Sequence, residues 1–203
     1  MAFTPMRLFV ALTPPAAVLD ELEAATAPLR AQRRDLRWTS RDAWHVTLAF
    51  LGEVDEAAVA SLLPRLERAA GRHPRFGLEL AGAGAFPNAS RARVLWNGLD
   101  GDRRELSGLA ASVAAGVRQA GAASPEEGRP FRPHVTLARC RGNADVRPIV
   151  AALGDYRGRQ WTAEDICLIH SRPGQQPRFV TVGSWPLGAA PPQLPGGQQE
   201  PGE

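Results

Sequence analysis

The alternation of apolar and polar positions divides most of the chain into short strands and amphipathic helices. Met6 to Leu12 is a mostly apolar run of strand length. Leucines at 19, 22 and 29, with alanines between them, give Pro15 to Arg30 the spacing of an amphipathic helix opened by a proline. Trp44 to Leu51 is β-like and ends at Gly52. Val59, Leu62, Leu63 and Leu66 predict a helix over Glu56 to Ala70, and Phe76 to Leu80 predicts a strand. The order then begins again. Arg93 to Leu99 predicts a strand, and Arg103 to Gln119 a helix that stops at Gly121. Arg129 to Pro133 leads into a second β-like run, His134 to Arg139. Later strands are expected over Asp165 to His170 and Arg178 to Trp185.

A strand, a long helix and a histidine-containing strand therefore occur twice, each set followed by a further helix and strand. Leu8 precedes His45 by 37 residues, and Val94 precedes His134 by 40. Such a recurrence is expected of an internal duplication. The predicted fold is α+β: a bilobed, pseudo-two-fold domain over residues 1–187, with lobes at about 1–88 and 89–187. Two antiparallel sheets would line a central cleft, with helices on the outer faces. Residues 188–203 are dense in Pro, Gly and Gln and read as a disordered tail.

The two histidine strands share five residues in order. His45-Val46-Thr47-Leu48-Ala49 recurs as His134-Val135-Thr136-Leu137-Ala138. Chance repetition after a given histidine is on the order of one in ten thousand. A duplicated core strand accounts for the Val and Leu but not for retention of two polar side chains in each copy. Strand alternation puts His45 and Thr47 on one face and Val46, Leu48 and Phe50 on the other, and it divides His134 and Thr136 from Val135 and Leu137 in the same way. Each strand thus offers an apolar face to a core and a polar face to something else. Two imidazoles facing one volume suit a two-proton displacement at phosphorus, in which one takes a proton from water and the other gives one to the departing oxygen. Threonine hydroxyls would hold the non-bridging oxygens, and an arginine would balance the developing charge.

Composition narrows the setting. The chain has 203 residues, 44% of them hydrophobic and 22% charged, enough for one sizeable core and short for two domains. Two cysteines, Cys140 and Cys167, are too few for a disulfide framework and fit a reducing compartment. The early apolar run Leu8 to Leu12 is too short for a signal-peptide core or a membrane span, so a cytoplasmic protein without membrane contact is expected. The net charge of +3 and pI near 9.6 permit a polyanionic partner. All 24 basic residues are arginine, so any phosphate contact from a basic side chain comes from a guanidinium.

The paired motifs resemble the two-histidine (2H) phosphoesterase superfamily, and most closely its bacterial RNA 2′,3′-cyclic phosphodiesterases, also known as 2′-5′ RNA ligases. The resemblance runs from Met6-Arg7-Leu8-Phe9-Val10-Ala11-Leu12 to Trp185-Pro186-Leu187. It includes Gly84-Ala85-Phe86-Pro87 and Arg93-Val94-Leu95-Trp96. It implies hydrolysis of a 2′,3′-cyclic phosphate at an RNA 3′ end to a 2′-phosphomonoester, with 2′-5′ joining as the reverse reaction. It implies no cofactor, no metal and no protein partner, and a monomer is expected. Carried over by position, His45 is the proton donor to the departing 3′ oxygen and His134 the proton acceptor. Thr47, Thr136 and Arg139 bind the phosphate. Phe50 stands where the first motif would carry the matching arginine. The residues alone do not distinguish acid from base, because the two motifs are nearly identical. Arg139 also lies at an odd offset from His134, and it reaches the polar face only if the strand ends or bulges near Ala138 to Cys140.

Trp38, Trp44, Phe86, Trp96 and Phe131 are aromatic candidates for stacking on a single-stranded base, with Trp38 and Phe131 preferred for their position just before the motifs. Arg129 and Arg132 flank the second motif. His73 and His170 lie outside any His-x-Thr pattern, and no ligand spacing for zinc is present. Two other readings remain open: a phosphodiesterase of the same superfamily acting on a small cyclic or 2′-5′-linked nucleotide, and a non-catalytic RNA-end binder.

Overall fold

The structure, a computed structural model, describes residues 5–122 and 130–188. Arg129, residues 1–4 and the tail beyond Gly188 lie outside the described residues. In chain order the elements are β1 (Met6–Leu12), α1 (Ala16–Gln32), β2 (Arg37–Trp38), a 3₁₀ turn (Arg41–Ala43), β3 (Val46–Val54), α2 (Glu56–Gly71) and β4 (Phe76–Phe86). They continue with β5 (Ala92–Gly101), α3 (Arg103–Gln119), β6 (Val135–Ala144), α4 (Arg147–Ala152), β7 (Trp161–Ala163), β8 (Asp165–Ser171) and β9 (Phe179–Pro186).

The fold is α+β, with two antiparallel sheets. One has the order β3-β1-β8-β9, the other β2-β6-β5-β4-β7. β1 runs through the middle of the first sheet and is buried from Leu8 to Leu12, which explains its unbroken apolar run. The two halves of the chain exchange strands. β1 pairs with β8 from the second half, while β5 pairs with β4, and β6 with β2, from the first. A division at residue 88 therefore follows the chain, while each sheet in space draws on both halves.

Most of the apolar side chains form one continuous core. It takes Leu8, Val10 and Leu12 from β1, Leu62 and Leu66 from α2, Leu106, Leu109 and Val113 from α3, and Val135 and Leu137 from β6. Each such burial contributes about 1.5–3 kcal/mol. α2 and α3 pack against each other, and α3 also packs on β3 and β4. Asp55 caps α2 by accepting a hydrogen bond from the Ala58 amide at 2.8 Å. A second, smaller cluster lies on the opposite face of the first sheet, where Phe9, Ala11, Cys167 and Ile169 pack with Phe50 and Phe179.

β4 runs six residues past its expected end at Leu80. Its continuation is a strip of small residues with a register slip between Ala81 and Ala83. Gly82 occupies that slip with φ +61°, a conformation open to glycine.

Candidate active site

Both histidine motifs bulge at the same residue. In the first, Ala11 pairs with Thr47 and Val10 with Ala49, which leaves Leu48 unpaired. In the second, Trp96 pairs with Thr136 and Leu95 with Ala138, which leaves Leu137 unpaired. A bulged residue breaks the two-residue alternation, so everything after it changes face. Leu137 and Ala138 are consequently both buried, and Arg139 emerges on the same face as Thr136. The bulge sits one residue before the expected stretch and solves the parity problem. Its twin corrects a reading of the first motif. Phe50, expected on the core face with Val46 and Leu48, turns to the opposite face, where its ring centroid lies 6.0 Å from that of Phe9.

His45 is set in a nest of aromatic rings. It stacks on Phe9 at 4.6 Å between centroids and meets the edge of Phe179 at 5.3 Å. Burial by these rings lowers its pKa from 6.5 to about 4. Asp42 opposes the fall, while Arg178 and His134 add to it. His134 and His45 thus lie within electrostatic reach of one another, although 89 positions separate them in the chain. Arg178 is exposed, and its guanidinium lies 5.1 Å from the Phe179 ring centroid.

His134 stands at the start of β6. Its Nδ1 is 2.7 Å from the Arg132 carbonyl. A carbonyl only accepts, so Nδ1 carries the proton, and in the neutral ring Nε2 holds the lone pair. Phe86 packs its edge on this imidazole at 5.1 Å, and Trp96 lies 6.2 Å away. Thr47 and Thr136 are partly accessible, and Arg139 is exposed.

A network of residues that the sequence reading did not single out ties the segment before His45 to the strand after His134. The Thr39 amide donates to the Leu137 carbonyl at 2.9 Å. The Thr39 hydroxyl lies 2.7 Å from the Thr136 carbonyl and 2.9 Å from that of Leu137, and it accepts from Trp44 Nε1 at 3.0 Å. Arg30 stacks over Trp38 and Trp44 and donates to the Thr39 carbonyl at 3.1 Å. The bulge that aims Arg139 is therefore held from the other half of the chain.

The aromatic candidates divide. Trp38 pairs with Ala138 on the core side, donates its Nε1 proton to the Arg33 carbonyl and packs against the core, on the face away from Thr136. Trp44 is fully buried. Phe86, Trp96 and Phe131 line a cavity of about 420 Å³ together with His134. His73 bonds Ser112 at 2.8 Å, and His170 lines a separate surface cavity with Arg7 and Arg172. Among the described residues no three His, Cys, Asp or Glu side chains gather as metal ligands, and no helix is long and apolar enough to cross a membrane. Phe9, Phe179 and Thr39 carried no signal in the sequence, because their roles depend on strands paired far apart in the chain.

Comparison with known proteins bears on the family and the fold. The sequence model of the 2′-5′ RNA ligase superfamily matches residues 14–175. The RNA 2′,3′-cyclic phosphodiesterase of Aeropyrum pernix is 42% identical over 110 residues, which cover 54% of this chain and 60% of that protein. The Thermus thermophilus protein of the same name is 32% identical over 171 residues, 82% of each chain. A match to the Geobacillus stearothermophilus phosphodiesterase spans 48% of that protein's length. The crystal structure of E. coli LigT complexed with 3′-AMP superposes with a TM-score of 0.69 at 28% identity, covering 92% of this chain and 100% of that one.

Proposed function

Since the chain belongs to the 2′-5′ RNA ligase superfamily, we propose that it hydrolyses the 2′,3′-cyclic phosphate at an RNA 3′ end to a 2′-phosphomonoester, without a metal or other cofactor. The observation that carries the reading is the twin bulge at Leu48 and Leu137. It gives both motifs the same facing and puts Arg139 beside Thr136.

The cyclic phosphate sits between the two motifs. Thr47, Thr136 and Arg139 hold its non-bridging oxygens, and the guanidinium balances charge that grows as water attacks. His134 takes the proton of that water through Nε2, its Nδ1 proton being anchored on the Arg132 carbonyl. His45 gives a proton to the 3′ oxygen as it leaves on the opposite side.

The acid role of His45 has an electrostatic condition. In the empty cleft the ring is neutral near pH 7, because its pKa is about 4. An anionic phosphate at hydrogen-bond distance favours the charged imidazole and raises that pKa by roughly 1–3 pH units. Substrate binding thus brings the acid's pKa to about 5–7, so that up to about half of it is charged near pH 7. The same groups in the same roles run a transfer reaction, in which an RNA 5′-hydroxyl replaces water as the nucleophile and forms a 2′-5′ linkage.

The test is product analysis with an RNA oligonucleotide that ends in a 2′,3′-cyclic phosphate. The expected product is the 2′-phosphate alone. A 3′-phosphate product would place the proton donor beside the wrong ribose oxygen and overturn the role given to His45.

A further inference from the structure

Hydrolysis needs room for one water beside His134, yet the structure provides much more. The cavity there measures about 420 Å³, within the range of about 300–1,000 Å³ that small-ligand sites occupy. Its aromatic walls are Phe86, Trp96 and Phe131, and Arg103 and Arg132 line it with exposed guanidinium groups. His134 lines it and His45 does not.

The shape follows from the small residues of β4 and β5. Ala81 and Gly98 face each other across the strand pair. A Cβ at Gly84 would stand 2.2 Å from Trp96 Cζ2, and one at Gly98 would stand 3.4 Å from Trp96 Cζ3. The indole therefore lies along the sheet, where any side chain larger than hydrogen would lift it. A flat ring held this way, next to a second aromatic and two cations, suits a planar base with a phosphate nearby.

In an in-line displacement the nucleophile enters opposite the departing oxygen. With His45 on the departing 3′ oxygen, the side lined by His134 is the nucleophile's side. We infer that this cavity is an acceptor subsite, which holds the 5′-terminal nucleoside of an RNA with a free 5′-hydroxyl. The base stacks on Trp96 and Phe86, and Arg103 and Arg132 meet the phosphate on the acceptor's 3′ side. The inference rests on the roles proposed above for His45 and His134.

The step balances without a further reactant. The 5′ oxygen bonds to phosphorus as the phosphorus–O3′ bond breaks. The 5′-hydroxyl proton passes to His134, and O3′ takes the proton of His45. The product is a 2′-5′ phosphodiester.

The experiment supplies a cyclic-phosphate oligonucleotide with rising concentrations of adenosine or of methanol, and measures the ratio of transfer to hydrolysis for each alcohol. A bound acceptor makes the adenosine ratio saturate, while methanol, with no base to stack, gives a straight line. Ala81→Leu adds bulk from a residue that lines the cavity and is not among those that hold the cyclic phosphate. It is expected to keep hydrolysis within about twofold and to lower adenosine transfer at least tenfold. Ala81→Val gives a graded version should the leucine variant fail to fold. Linear adenosine transfer by the unmodified protein, inhibition by adenosine without transfer, or saturation unchanged in the folded Ala81 variant would each overturn the subsite. Absence of hydrolysis in the unmodified protein would instead overturn the function proposed above, so the two failures are distinct.

Discussion

Replacing Phe179 by alanine is expected to raise the pKa of His45 and flatten the acid side of the stability curve. The imidazole lies between the face of Phe9 and the edge of Phe179, and burial by them takes its pKa from 6.5 to about 4. At about 1.4 kcal/mol per pH unit, that fall is worth about 3 kcal/mol of preference for the neutral ring in the folded state. The folded pKa is below the unfolded one, so the unfolded chain binds the extra proton between pH 6.5 and 4. Stability is accordingly complete above pH 6.5 and is lost as the pH falls through this window. With one of two rings removed, the pKa is expected near about 5, and the loss across the window shrinks by about 1 kcal/mol. Titration of the four histidines by proton NMR, assigned with His→Gln variants, reads the pKa directly. Urea denaturation at pH 7.5 and 4.5 reads the linked stability. Comparing the change with pH, rather than stability at one pH, cancels the packing lost with the ring. A His45 that titrates near 6.5 in the unmodified protein, or a variant with the same pKa and the same pH dependence, would refute the reasoning.

Other outcomes follow from the same geometry. The pH dependence of kcat is expected to be bell-shaped, since His45 must be charged and His134 neutral, and a flat profile from pH 5 to 9 under single-turnover conditions contradicts it. Arg139→Ala is expected to lower kcat/KM by about 10²-fold or more, with Arg139→Lys recovering only part because a bidentate fork is lost. Unchanged kcat/KM in Arg139→Ala would remove the guanidinium from the phosphate site. Thr39→Val strips a hydrogen-bond partner from the buried Trp44 Nε1 and is expected to cost about 1–3 kcal/mol in urea denaturation. Because the same hydroxyl braces the Leu137 bulge, KM for the phosphate substrate should rise along with that loss. Activity is expected to survive exhaustive treatment with EDTA, and a loss restored by a divalent cation would bring a metal into the reaction.

The main elements could be read from the sequence because local spacing specifies them. The spacing of Leu62 and Leu66 marks α2 without reference to the rest of the chain, and the apolar run of β1 reflects its central place in a sheet. The repeated His-x-Thr pair, the same in both copies, pointed to the chemistry. Features that depend on a distant partner were not legible. The bulges exist only relative to β1 and β5, so simple alternation sent Phe50 to the wrong face and left Arg139 in question. The extension of β4 through Gly82 and Gly84 runs against strand propensity. It is held by pairing with β5 and by the indole of Trp96. A sequence reading prefers Trp38 to Trp96 for its place just before the first motif. Register alone decides that one backs the core and the other faces His134.

The central claim is that two imidazoles serve one phosphorus atom in a single step. Its most direct test is single-turnover cleavage of a cyclic-phosphate RNA by His45→Ala, His134→Ala and the double variant, each shown by circular dichroism to keep its fold. Groups that act together lose together, so each single variant is expected to fall by about 10²–10⁴-fold, with the double variant little worse. Either single variant cleaving at the unmodified rate, or two losses that simply multiply, would contradict the claim.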